Sequence, residues 1–200
     1  MAHGAMPDKG ANPLTALARA TAALTDLQQR LQTELGPYEH LGEIWITPTY
    51  VAGGSIEQLN VIPADAAMAV DIRTTPAVDH PRLLAEIGDL LAESTAGTGV
   101  LLELTVIDDR PSTDTPTDSP VVRALALAHE HVTGQPAVYG GVPGTTDGTI
   151  LWRDGGLDSV VYGPGGKWIA HQIDEFVEVS EIIQATGVFA HAAHAFLTDG

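Results

Sequence analysis

The stretch from Glu43 to Arg73, EIWITPTYVAGGSIEQLNVIPADAAMAVDIR, decides the fold. Its first part, residues 43–52, concentrates Ile44, Trp45, Ile46, Tyr50 and Val51, types that suit a pleated, half-buried surface. Gly53-Gly54 punctuates it. From Ala64 to Arg73, Met68, Val70 and Ile72 alternate with smaller or polar neighbours, the period of a strand that buries one face. Two strands are therefore predicted, 43–52 and 64–73.

Working outward, a helix is predicted on either side. Upstream, Asn12 caps and Pro13 suits a first turn. Leu14, Leu17, Thr21, Leu24, Leu27, Leu31 and Leu35 then recur at spacings of three and four until Gly36-Pro37. Downstream, Asp79 caps a helix over 81–93 with Leu83, Leu84, Ile87, Leu90 and Leu91 inward. Residues 99–107 alternate Leu102, Leu104 and Val106, which predicts a third strand. The order helix–strand–strand–helix–strand is that of a ferredoxin-like domain without its first strand.

The Asp-, Pro- and Thr-rich run 108–119, DDRPSTDTPTDS, reads as a boundary, giving domains 1–110 and 111–200. Beyond it, Ser119 and Pro120 cap and start a helix to about Thr133. Short strands are expected near 137–139 and 159–162, with a loop and short helix between them. A terminal helix is expected from after Ser180 to about Leu197. The fold class expected is α/β.

A formal charge of −17, from 9 Lys and Arg against 26 Asp and Glu, argues against nucleic acid and anionic membrane surfaces as partners. The absence of cysteine removes disulfides and thiolate ligands and fits a cytoplasmic location. The first residues lack the basic and apolar regions of a signal peptide, and no run is long enough for a membrane span.

Several segments are candidates for chemistry. His171 follows a glycine-rich turn after an apolar stretch, the place where α/β folds hold ligands; a loop histidine is the alternative. Gly144-Thr145-Thr146-Asp147-Gly148 offers close backbone approach, or is a turn. Asn60 and Arg73 flank the second strand, and an arginine there grips a carboxylate or makes a surface ion pair. His3 stands near the terminus. His129 and His131 point to different helix faces, His191 and His194 read as solvated, and His40 and His80 have no evident role.

Four segments in order, HGAMPDKGANP (3–13), GGSIEQLNVIPADAAMAVDIR (53–73), GVPGTTDG (141–148) and YGPGGKWIAHQIDEFV (162–177), resemble successive signatures of the acetylornithine deacetylase / succinyl-diaminopimelate desuccinylase family, metallopeptidase family 20. The resemblance spans nearly all of the chain. It implies a ferredoxin-like lid that makes a homodimer (1–110), and the C-terminal part of a zinc-exopeptidase-type α/β catalytic domain (111–200). It implies hydrolysis of the amide bond of N-acyl amino acids or small peptides at two zinc ions, with cobalt as the alternative metal. His171 matches a metal ligand, and His3 the lid histidine that stabilises the oxyanion in the partner's site. Asn60 and Arg73 match substrate-binding lid residues, and Gly144, Thr145 and Thr146 the pocket loop. The family's His-x-Asp motif and Glu-Glu pair, the latter holding the general base, do not occur in these residues. The expectation is a C-terminal part that holds no zinc alone and is completed by an N-terminal half. A non-catalytic dimerisation module, or one that binds small carboxylates, is the other reading.

Overall fold

In the computed structural model, which describes residues 1–166, 169 and 172–198, the chain divides into two compact units, Met1–Asp109 and Arg110–Gly200.

The first unit is built on the predicted pair of strands. β2 (Trp45–Gly53) and β4 (Ala66–Arg73) run antiparallel, with Ile46 opposite Ile72, Pro48 opposite Val70 and Val51 opposite Met68. The register shifts between Pro48 and Tyr50. Proline cannot donate to a ladder, so a bulge beside it is the expected accommodation. At Gly53 a Cβ would lie 2.7 Å from both Ala66 Cβ and Leu14 Cδ2, so only glycine lets the strands close there.

Helix α1 (Pro13–Leu35) begins where Asn12 Oδ1 accepts the N–H groups of Leu14 and Thr15 at 3.0 and 3.4 Å. It ends at Gly36, whose φ of 65° favours glycine. Helix α2 (His80–Ser94) is capped by Asp79, which accepts from Arg82 N–H at 2.8 Å. The two helices pack together, and α1 covers both strands. One core results: Ala20, Leu24, Leu27 and Leu31 from α1, Leu83, Ile87 and Leu91 from α2, and Ile44 and Ile46 from the strand side. Met68, Val70 and Ile72 pack against it. The buried stripe of α1 departs from the leucine reading in its first half, where Ala16 and Ala20 face inward and Leu14 is 40% exposed. Small residues allow close approach there, and the spacing 13, 16, 20, 24, 27, 31 is still helical. Polar side chains of α1 also reach the strand: Gln28 Oε1 accepts from Ile46 N–H at 2.7 Å and Gln32 Nε2 donates to Ile44 O at 2.8 Å.

Two features differ from expectation. Residues 99–107 form no strand: β4 is bonded only to β2, so the alternating segment has no ladder to join among the described residues. Leu102 still packs on the core, whereas Leu104 and Val106 are exposed. Conversely, the terminal β1 (Ala2–His3) pairs with β3 (Val61–Ile62), two residues each and too short to show a period.

The second unit holds α3 (Pro120–Thr133), α4 (Gly148–Gly155) and α5 (Val179–Thr198), with α3 packed on α5 around Val122, Ala128, Ala185 and Val188. The strands expected near 137–139 and 159–162 are absent among the described residues, and Val138 is 95% exposed. A short β-prone run forms a strand only beside another. Ser119 stands before α3, but its hydroxyl caps nothing and is buried without a partner. No helix among the described residues is long and apolar enough to cross a membrane.

Candidate functional site

The structure brings His3 and Asn60 together. Register places His3 opposite Val61 in the β1–β3 pair. The chain then turns around Asn60: Gly4 N–H donates to Asn60 O at 2.6 Å, and a Cβ on Gly4 would lie 3.2 Å from that oxygen. His3 Nδ1 accepts the N–H of Ala5 at 3.1 Å. In the neutral ring the proton is therefore on Nε2. The side-chain nitrogen of Asn60, Nδ2, lies 3.4 Å from Nε2; with the proton on Nε2 both are donors, so Asn60 stands beside that N–H without accepting it. The ring is held through the Ala5 N–H alone of these two contacts. An N–H in that state can donate to an incoming acceptor.

Arg73 closes β4, with Trp45 as its cross-strand neighbour. Its Nε donates to Asp71 Oδ2 at 2.7 Å, two residues back on the same strand face. The guanidinium is half exposed, and Asp71 engages only its Nε edge. The remaining edge of the fork suits a planar carboxylate. No bond joins Arg73 to His3 or Asn60 in the structure as described.

In the second unit, Gly144 and Thr145 lie exposed in the loop before α4. Thr146 turns that loop into the helix: its Oγ1 accepts from Gly148 N–H at 3.2 Å and its carbonyl from Thr149 N–H at 3.2 Å. A Cβ on Gly148 would lie 3.1 Å from Thr146 Oγ1, so the glycine preserves this turn. Asp147 occupies the position before the helix without capping it.

His171 lies outside the described residues. The segment leading towards it is anchored. Tyr162 OH lies 2.9 Å from His129 Nδ1 on α3 and its ring meets Phe189 of α5 edge to face at 5.6 Å, while Gly165 N–H donates to Glu181 Oε2 at 2.9 Å. Burial pushes the Tyr162 phenol above the ordinary tyrosine value.

A metal ion needs three or four converging ligands. Among the described residues no group of three or more His, Cys, Asp or Glu side chains is arranged to hold one. The described donors do not make a zinc site by themselves.

Sequence reading passed over two groupings. One is the His129–Tyr162–Phe189 cluster. The other is a chain from Thr74 through His80 to Asp109, with His80 Nε2 2.8 Å from Thr74 Oγ1 and Nδ1 2.5 Å from Asp109 Oδ1. Asp109 is 29 residues from His80, beyond any local pattern.

Residues 1–98 match the peptidase dimerisation domain of the M20 family. The chain is 29% identical over 187 residues to a succinyl-diaminopimelate desuccinylase of Dinoroseobacter shibae, covering 94% of this chain and 47% of that protein. It is 24% identical to an N-formyl-4-amino-5-aminomethyl-2-methylpyrimidine deformylase of Bacillus subtilis, covering 94% and 47%. A [LysW]-lysine/[LysW]-ornithine hydrolase of Saccharolobus solfataricus is 27% identical, over 80% and 42%. The chain thus spans about half the length of the curated relatives it matches. Among solved structures, an M20 family metallo-carboxypeptidase from Sulfolobus solfataricus superposes with a TM-score of 0.69 at 16% identity, covering 97% of this chain and 55% of that one. That likeness concerns the fold.

Proposed function

From membership of the M20 family, carried by the dimerisation domain at residues 1–98 and by the desuccinylase relatives, we propose that this chain serves hydrolysis of the amide bond of N-acyl amino acids or small peptides. Its first unit is the lid through which two copies pair. Its second unit is the C-terminal part of the catalytic domain.

The observation that supports this reading best is the state of His3. A ring fixed by the Ala5 N–H, with its Nε2–H beside the Asn60 amide nitrogen and not accepted by it, is poised to donate to an amide oxygen as it gains charge. In the proposal this donor is delivered to the partner copy's site. Arg73 holds the substrate carboxylate and so orients the scissile bond. The loop at Gly144, Thr145 and Thr146 lines the pocket, and His171 is one ligand of the metal pair, zinc or cobalt. The other ligands and the general base come from polypeptide outside these residues. A metal in that site would lower the pKa of bound water and polarise the carbonyl.

The test is equilibrium dialysis and NMR titration with N-acetyl and N-succinyl amino acids, alongside sedimentation. The expected result is a dimer whose backbone signals shift near Arg73 and Asn60. Shifts lost in Arg73→Ala and kept in His3→Gln would separate anchoring from oxyanion donation. A monomer with no shift at millimolar ligand would sink the reading.

The name of the matching domain supports a second reading, a dimerisation module without catalysis. It predicts the same dimer with no response to acyl amino acids.

A further inference from the structure

We propose that Thr74, His80 and Asp109 form a base-activated hydroxyl, with Thr74 Oγ1 as an acyl-accepting nucleophile towards activated carboxylic esters. It is independent of the amide-hydrolysis site and of any metal. Thr74 follows the last residue of β4, His80 is the first residue of α2, and Asp109 closes the first unit. The tight turn between them, with Val78 N–H donating to Thr75 O at 3.0 Å, brings Thr74 and His80 round to face each other.

The chain of hydrogen bonds has a direction. The Asp109 carboxylate only accepts, so at 2.5 Å it fixes the proton of the neutral imidazole on Nδ1. His80 Nε2 then carries the lone pair, and the partner 2.8 Å away must be the donor, which makes the Thr74 hydroxyl give its hydrogen to the ring. A nucleophile within reach of a base that a third group orients is the signature of covalent catalysis. Burial keeps the geometry: the His80 side chain is 14% exposed, while Thr74 is half-buried and keeps access to solvent.

The step balances. Thr74 Oγ attacks the ester carbonyl, forming an O–C bond, and its proton passes to His80 Nε2. The bond from carbonyl carbon to alkoxy or aryloxy oxygen breaks, and the leaving oxygen takes that proton. The products are O-acyl-Thr74 and one alcohol or phenol; water later releases the acid by the reverse use of the base.

The test uses the intact chain with p-nitrophenyl acetate, and 1,10-phenanthroline present throughout to silence metal-dependent hydrolysis. Nitrophenolate release is followed, and the tryptic peptide 74–82 is sequenced by mass spectrometry. Acetyl is expected on Thr74 and not on Thr75, which is buried. A base of this kind is worth about 100-fold or more, so His80→Gln should slow Thr74 acetylation by about that factor. Thr74→Val should abolish it, and Thr74→Ser should retain it. Label confined to amines, equal labelling in His80→Gln, or an unlabelled Thr74 in the folded wild type overturns the proposal. Should Thr74→Val not fold, Thr74→Ser decides: a folded, unlabelled serine variant overturns it as well.

Discussion

The packing of α1 offers the sharpest quantitative test, because the structure and the leucine stripe disagree about its first half. Leu27 is 1% exposed and Ala20 0% exposed, whereas Leu35, which continues the stripe, is 41% exposed. Replacing Leu27 by Ala removes three carbons from the junction of α1, α2 and the strands, and neighbours on three sides cannot collapse into the space. Core truncations of this kind cost about 3 kcal/mol, from lost transfer energy and the residual cavity. With a urea slope of about 1.5 kcal/mol/M for a unit of this size, the midpoint should fall by about 2 M. Ala20→Leu should cost about 1–3 kcal/mol from overpacking, an effect the leucine stripe does not anticipate because it leaves residue 20 off the face. Leu35→Ala should stay within about 0.5 kcal/mol, as expected for a surface position. The assay is urea unfolding followed by Trp45 fluorescence in a Trp152→Phe, Trp168→Phe background. Trp45 then reports the first unit alone. A shift below about 0.5 M for Leu27→Ala, or Ala20→Leu as stable as wild type, would refute the described packing; the slope bounds come from the same relation.

Ser119→Ala gives a test of sign: loss of a cap would cost about 1 kcal/mol, but removal of a buried unpartnered hydroxyl should leave α3 equally or more stable in thermal unfolding. Tyr162 makes stability depend on alkaline pH. Its folded pKa is raised above the ordinary value of 10.0, so its contribution is complete below that pH and is lost as pH rises through the folded pKa. Tyr162→Phe should therefore flatten the decline in melting temperature above about pH 10, and an unchanged decline would remove the argument. Arg73→Lys should weaken binding of an acyl amino acid by about tenfold, since an ammonium cannot replace the two-pronged grip; equal affinity in the titration would rule out a bidentate contact.

What the sequence made legible was local. Asn12-Pro13 and Asp79 announced their helices because a cap is a short-range bond, and Met68, Val70 and Ile72 announced the inward face of β4 because side chains alternate along a strand. Residues 99–107 carry the same alternation without a ladder, which shows that period reports a tendency and pairing decides it. The dimerisation-domain match and the mixed helix–strand fold agree with the family resemblance. The His3–Asn60 contact was not readable from spacing, since it joins residues 57 apart, and the Thr74–His80–Asp109 chain depends equally on tertiary approach. The role proposed for His171 rests on its motif alone.

The outer side of β2 has a consequence for association. Gln28 occupies the Ile46 N–H, Gln32 occupies the Ile44 carbonyl, and Pro48 has no hydrogen to offer, so the first half of that margin is closed to an incoming strand. A strand adding at residues 44–48 would first have to displace both glutamines, so the helix that supplies nearly half of the core also guards part of the sheet's margin.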